Sequence, residues 1–268
     1  MGRLSNFFSD DDLGLLTDIV APARGDKPRM TRTLREDDEI LYAMISDRNV
    51  FEHLTENQES FVKVSPLLFF TVLLVRVKND LKSRPYTVEL ESRRRMFVFD
   101  SGTVAILLEQ EGVLPYLAHM LVSFVKINSF SVVTQVKPGV WNRFRFSDFD
   151  VEDLIRYSGM IDEEQRFQTY RRVADICLFM SGVFPDFAAA NELNRNRGAR
   201  GLAKFDKEDF SSRGTYYYRA SALHRDAAFQ GMREVLLKLS DGFDLAVKPL
   251  SHLSTHYLGL IKDRIFLQ

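Results

Sequence analysis

The residues with the clearest chemistry lie on a predicted β-strand near the middle of the chain. We predict a strand over 140–146, and the period of two puts Trp141, Arg143 and Arg145 on one face of that strand. An aromatic ring beside two guanidinium groups can stack a nucleobase or hold phosphates. The alternative is a solvated face on which the arginines cover the tryptophan. The sequence therefore indicates a candidate binding face on this strand.

A second group of arginines lies in the run Glu91–Arg95, between a segment that alternates as a strand does (86–90) and a plausible partner strand (96–99). We predict that this run forms the charged tip of a first hairpin, which would present Arg93, Arg94 and Arg95 together. Such a tip could contact an anionic partner, although three like charges at a turn are usually only solvated.

A third group comprises Arg195, Arg197 and Arg200, in a segment that has no hydrophobic period and contains no acid from 194 to 200. Basic arms of this kind can become ordered on nucleic acid or on an acidic protein. The alternative is a plain flexible linker. We therefore predict a basic linker over 188–206.

Two histidines have a spacing that could bind a metal. His252 and His256 are four residues apart, so a helix would place both imidazoles on one face. Asp263 follows seven residues after His256, which on a helix is about 10 Å and too far to complete the same shell. We therefore expect structural histidines, and we predict neither a metal nor another cofactor.

The common catalytic signatures are absent from the chain. It contains no GxxxxGK[ST] phosphate loop, no GxGxxG after a strand, no GxSxG elbow and no HExxH helix. An enzyme would need a site assembled from distant residues, most plausibly among His119, Asp175, Tyr217, His252 and His256.

One predicted helix, 163–184, contains a cysteine and an aspartate, and both have a structural explanation that requires no catalysis. Cys177 lies in an apolar stretch, where burial would make its thiol a poor nucleophile. Asp175 follows Arg171 by four residues and Arg172 by three, a spacing that predicts an ion pair within the helix.

Three consecutive tyrosines, Tyr216, Tyr217 and Tyr218, would spread over three faces of a helix or two of a strand. We therefore expect some of them to be partly exposed. Exposed tyrosines can mark an interface, and a packing role is the alternative.

The composition restricts the class of protein. The 268 residues include 36 basic and 37 acidic side chains, a net charge of −1, so no global field draws the chain to nucleic acid or to an anionic membrane. The first residues lack the order of a signal peptide, and the most apolar stretch, 64–75, is too short to span a bilayer. With a single cysteine, these features predict a cytoplasmic protein without a membrane partner.

The pattern of helix and strand signals predicts a mainly α fold with two β-hairpins, an α+β arrangement. We divide the chain into an N-terminal helix and linker (1–33), a helical domain (34–187), the basic linker (188–206) and C-terminal helices (207–268). Within the last part we expect breaks near Gly242 and Pro249.

The middle of the chain, about 66–146, resembles a winged helix in the order of its elements. In that family the last of three helices commonly enters the major groove and a hairpin touches the DNA backbone. The corresponding helix here, 113–127, offers only His119, Ser123 and Lys126 to a groove. This departure favours burial of the helix or contact with protein. The predicted elements are helix 66–82, hairpin 86–99, helices 101–110 and 113–127, and strands 130–136 and 140–146.

The C-terminal third carries a second resemblance. Its segments Tyr170–Asp186 and Gly214–Ser221 look like segments of uncharacterised prokaryotic helical proteins, and this likeness implies no activity. Taken together, the sequence predicts a non-enzymatic binding or interaction protein that acts in a complex with protein or nucleic acid, with a homo-oligomer also open. The alternative is an enzyme without a recognisable motif.

Overall fold

The computed structural model describes residues 4–21, 27–56, 64–91, 94–137, 140–187, 205–259 and 262–266. The fold is mainly helical with two antiparallel hairpins, as the sequence predicts. The first half contains α1 (Asp10–Val20), α2 (Lys27–Glu36), α3 (Asp38–Ile45), α4 (Arg48–Glu56), α5 (Pro66–Ser83), β1 (Thr87–Glu91), β2 (Arg94–Val98), α6 (Ser101–Glu109) and α7 (Val113–Ser123). The second half contains β3 (Ser129–Lys137), β4 (Val140–Ser147), α8 (Val151–Ser158), α9 (Phe167–Val183), α10 (Lys207–Leu223), α11 (Arg225–Phe229), α12 (Arg233–Asp241), α13 (Phe243–Leu253) and α14 (Lys262–Ile265).

The starts of α1 and α5 are held together by one carboxylate. Ser9 caps α1 by accepting a hydrogen bond from the Asp12 amide, and Oδ2 of Asp12 accepts from the Ser9 amide, which completes a capping box. Oδ1 of Asp12 accepts from the amide of Ser65 at 3.1 Å, and Ser65 in turn caps α5. The buried Asp12 therefore orders two helix starts, although it is 53 residues away from Ser65 in the sequence.

Helices α5 and α9 form the centre of the core. Residues 68–75 of α5 and residues 173–183 of α9 are buried without interruption, so both helices are enclosed on all sides. Helix α5 packs against α6, α7 and α13, whereas α9 packs against α8, α10 and α13. The described C-terminal helices thus share one hydrophobic core with the rest of the chain.

Two glycines allow α13 to approach its neighbours closely. A Cβ atom built on Gly182 of α9 would lie 2.4 Å from Cβ of Leu250, and one on Gly214 of α10 would lie 2.0 Å from the Phe243 ring. Both distances are shorter than packed atoms allow, so any larger residue would force the helices apart.

The second hairpin is anchored at its base by aromatic packing. Phe146 of β4 is fully buried, and its ring centroid lies 5.6 Å from that of Phe130 on β3 and 5.3 Å from that of Tyr157 on α8. The strands pair over 129–137 and 140–147, which confirms the predicted hairpin, with an irregularity in register between Gln135 and Lys137. The predicted Pro138–Gly139 turn lies outside the described residues.

The linker that we expect after the N-terminal helix, up to residue 33, is wrong for its second half, because α2 already begins at Lys27. Pro28 is the second residue of this helix, where a missing backbone N–H does no harm. Leu34 is fully buried, and Arg35 donates to the Ser5 carbonyl oxygen at 2.6 Å. These contacts with distant residues fix α2 against the core.

The tip of the first hairpin is shorter than expected. We predicted that Glu91–Arg95 forms the tip, but β1 extends to Glu91 and β2 begins at Arg94, so Arg94 and Arg95 are strand residues. Their backbones pair with Glu91 and Leu90, because ladder hydrogen bonds do not depend on side-chain polarity. Arg93 lies outside the described residues.

Pro249 does not break the last long helix as expected. Helix α13 runs through Pro249 to Leu253 and continues as a π-helical turn, Ser254–Leu258. Pro249 is buried, and its neighbour Leu250 packs against Gly182, so tertiary contacts hold the helix despite the lost hydrogen bond. The predicted break at Gly242 is confirmed between α12 and α13.

None of the helices within the described ranges is long and apolar enough to cross a membrane. The longest of them, α5, carries Arg76, Lys78, Asp80 and Lys82 in its second half. These charges interrupt the apolar run of the helix well before the length that a bilayer requires.

Candidate functional site

The predicted face of the second hairpin is present in the structure. The strand register pairs Arg143 with Val133 and Arg145 with Ser131, so these side chains share one side of the hairpin with Trp141. All five are exposed, Trp141 with 64% and Val133 with 52% of the side-chain surface accessible. We call Trp141, Arg143 and Arg145 the hairpin face.

The hairpin face has few internal contacts. Among the described residues, no aromatic ring and no cation lies against the Trp141 ring, and the Arg143 guanidinium has neither a hydrogen bond nor an ion pair. Nη2 of Arg145 donates to the Ser129 hydroxyl oxygen at 3.1 Å. No guanidinium therefore covers the tryptophan, and an isolated exposed indole with a free arginine beside it can bind a ligand without breaking existing contacts.

The charge of the hairpin has one sign. From Ser129 to Ser147 the sequence contains Lys137, Arg143 and Arg145 and no acid. Because the whole chain is close to neutral, this hairpin is a local positive patch.

The acids that follow the hairpin are engaged in its base. Asp148 accepts a hydrogen bond from the Asn128 amide at 2.9 Å and lies 3.6 Å from Nη2 of Arg172. Asp153 accepts from the Ser147 amide at 3.1 Å and pairs with Arg156 at 2.7 Å. Two of the nearby acids thus have arginine partners of their own, and they do not offset the exposed cations of the hairpin face.

Arg172 of α9 fixes the base of the hairpin to the helical core. Its Nε donates to the Asp148 carbonyl oxygen at 2.8 Å, and its Nη1 donates to the Ser123 hydroxyl at 2.7 Å. The guanidinium also lies 4.0 Å from the centroid of the Phe124 ring. Together with the buried Phe146, these contacts place the hairpin face on a rigid support.

Helix α7, which the winged-helix resemblance would place in a DNA groove, is a core helix. Seven of its residues are buried, and it packs against α5, α6 and α12. His119 and Ser123 are exposed, but Ser123 already binds Arg172. Burial of this helix leaves it without an accessible face that could enter a groove, whereas Trp141, Arg143 and Arg145 of the second hairpin are exposed.

No protein family model, curated protein or solved structure matches this chain. The winged-helix resemblance and the resemblance of the C-terminal third stay predictions.

The other predicted basic residues are not brought to the hairpin face by any described contact. Arg94 and Arg95 lie on β2, which pairs only with β1 among the described strands. The basic group of the predicted linker lies outside the described residues, and it consists of Arg195, Arg197 and Arg200.

The three tyrosines of α10 have three different environments, as a helix requires. Tyr216 is 65% exposed, and Tyr217 is half-buried with its ring centroid 5.5 Å from that of Tyr170. The prediction that Tyr218 contributes to an interface is wrong, because Tyr218 is completely buried. Of the three tyrosines, only Tyr216 and the edge of Tyr217 are accessible to a partner.

Asp175 does not form the predicted ion pair within its helix. It is buried, and its Oδ1 accepts hydrogen bonds from the hydroxyls of Tyr116 at 2.6 Å and Tyr218 at 2.8 Å. Burial raises the pKa of Asp175, and the nearby Arg171 opposes that shift. Tyr116 cannot be identified from the sequence as a partner of Asp175, because the only signal is an acid in an otherwise apolar stretch of helix.

His252 and His256 stack on each other, with ring centroids 4.0 Å apart. Nε2 of His252 lies 3.4 Å from Oδ2 of Asp80, which also accepts a hydrogen bond from the hydroxyl of Tyr257. Burial, followed by the charge of His256, lowers the pKa of His252 to about 4. Among the described residues no three His, Cys, Asp or Glu side chains converge as a metal site would require.

The residues suggested for an assembled active site do not line the surface cavity beside α1. That cavity, of about 480 Å³, lies between α1 and α4. Its lining consists of Leu15, Asp18, Ile19, Asn49, Glu52 and His53. Asp18 and Glu52 are already paired with Lys27 and Arg48.

Proposed function

We propose that this chain is a non-enzymatic binding protein that holds nucleic acid on the hairpin face. One observation carries this proposal: an exposed tryptophan and an arginine whose guanidinium has no partner among the described residues share one side of a hairpin that contains no acid. Guanidinium groups neutralise phosphates, and an exposed indole offers a flat surface to a base.

The proposed binding mode uses the backbone of the nucleic acid more than its sequence. Helix α7 is buried, so the usual groove-reading element of a winged helix has no access to base edges. Arg143 and Arg145 would contact phosphates, which give affinity without sequence information. We therefore propose binding with little sequence preference.

The proposal also includes the cellular setting. Cys177 is buried and free, and the chain has no other cysteine with which to form an internal disulfide. We propose a cytoplasmic protein that works in a complex, in which Tyr216 and the edge of Tyr217 supply a protein contact. Self-association through these tyrosines is part of the same proposal.

The proposal is tested by titrating the protein into a short fluorescein-labelled oligonucleotide and following fluorescence anisotropy. The double variant Arg143→Glu/Arg145→Glu should abolish binding. Its matched control is Arg48→Glu/Arg225→Glu, which changes the net charge equally at exposed positions on α4 and α11. Equal loss of binding in both variants, or no loss in the first, would overturn the assignment of the site to the hairpin.

A further inference from the structure

We infer that the ligand of the hairpin face is a single strand with accessible bases, one of which stacks on the Trp141 ring. This inference rests on the proposed function and narrows it. A duplex and a single strand both offer phosphates, so arginines alone cannot distinguish them. The tryptophan can distinguish a single strand from a duplex, because stacking on its ring requires the free face of a base.

The exposure of Trp141 carries the argument. Its side chain is 64% exposed, and no described aromatic ring or cation contacts it. In a duplex both faces of an internal base are covered by its neighbours, so an indole could reach one only by separating two stacked pairs. In a single strand the face of every base is available, and stacking on an aromatic side chain tolerates any sequence.

The row of side chains along β4 suits a ligand that runs along the strand. Trp141, Arg143 and Arg145 alternate with Asn142 and Phe144, which lie on the opposite face of the strand, so neighbours in the row are separated by roughly 6.6–6.8 Å. The indole lies next to the turn, and the two guanidinium groups follow toward the base of the hairpin. A strand that stacks one base on Trp141 therefore continues over two cations.

The hairpin face is also preorganised at its base. Phe146, which follows Arg145 directly, is buried against Phe130 and Tyr157, and Arg172 holds the next turn. Binding then needs little ordering of the support, and the free energy of stacking contributes directly to affinity.

The chain contains one tryptophan, so its intrinsic fluorescence reports on this site alone. The probes are an oligodeoxythymidylate and the duplex that it forms with its complementary oligodeoxyadenylate. We expect the single strand to quench the fluorescence of Trp141 on binding and the duplex to leave it unchanged. We also expect at least tenfold tighter binding of the single strand.

The variants separate stacking from charge. Trp141→Ala should weaken single-strand binding by roughly 5- to 150-fold, the range that loss of one stacked base gives. Trp141→Phe keeps a ring and should retain most of the affinity. Because Trp141 is exposed, both variants should keep the melting temperature of the wild type.

The outcomes distinguish this inference from the function on which it rests. If the duplex binds as tightly as the single strand, without quenching but with full dependence on Arg143 and Arg145, the single-strand assignment is overturned and the proposed function stands. Absence of binding to either probe overturns both. Equal affinities of Trp141→Ala and the wild type for the single strand overturn the role of stacking.

Discussion

The hydroxyl of Tyr218 lies 2.8 Å from Oδ1 of Asp175, which joins α10 to α9 inside the core. The same oxygen accepts a hydrogen bond from Tyr116 of α7 at 2.6 Å. Three helices that are distant in sequence thus meet at one buried carboxylate. A hydrogen bond to a charged group contributes about 1.5–3 kcal/mol, so each tyrosine should matter to stability.

Substitution of Tyr218 by Phe should lower the free energy of unfolding by about 1.5–3 kcal/mol, because Asp175 loses one of its two donors. Urea denaturation followed by circular dichroism measures this change. The matched control is Tyr216→Phe, the same chemical change on the exposed side of α10, which should stay within about 0.5 kcal/mol of the wild type. Equal effects of the two substitutions would refute a stabilising role for the Tyr218 hydroxyl.

His252 should make stability depend on acid. Its pKa in the folded protein is about 4, below the ordinary 6.5, so the fold favours the neutral imidazole. This stabilisation is complete above about pH 6.5 and is lost as the pH falls toward 4. Between pH 6.5 and 4, the wild type should lose free energy of unfolding as His252 becomes protonated. We expect this loss to be smaller by roughly 1–3 kcal/mol in His252→Gln. Urea midpoints at several pH values measure it, and parallel curves for the two proteins would contradict the burial of a neutral His252.

Gly214→Ala should destabilise the protein by about 1–3 kcal/mol, although alanine is the better helix former. The new methyl group would lie 2.0 Å from the Phe243 ring and would push α13 away from α10. Gly14→Ala is the matched control, since no atom lies within 4 Å of the added Cβ, and it should be neutral or stabilising by up to about 1 kcal/mol. Thermal melting of both variants tests the close approach, which a raised melting temperature of Gly214→Ala would disprove.

The hairpin face could be predicted from the sequence because the information for it is local. The period of two of a strand over 140–146 sets the side of each residue, and Pro138–Gly139 marks the turn. The burial of each residue, in contrast, is known only from the structure. The structure shows that Phe146 anchors one side of the hairpin in the core while Trp141 remains exposed on the other.

The parts that sequence reasoning missed depend on distant partners. Asp175 was assigned to Arg171 and Arg172 because they are its neighbours in sequence, whereas its donors are 59 and 43 residues away. The start of α2 was missed for the same reason, since Pro28 reads locally as a loop and the contact of Arg35 with Ser5 spans 30 residues. In both places tertiary contacts override the structure that the local sequence favours.

The salt dependence of binding tests the central claim most directly. For a single strand, each phosphate contact adds about −0.7 to the slope of log K against log salt concentration. We predict that Arg143→Ala/Arg145→Ala binds the oligodeoxythymidylate more weakly than wild type and with a slope shallower by roughly 1.4, the share of two lost phosphate contacts. An unchanged slope would show that these arginines touch no phosphate, and would contradict a nucleic-acid site on the hairpin face.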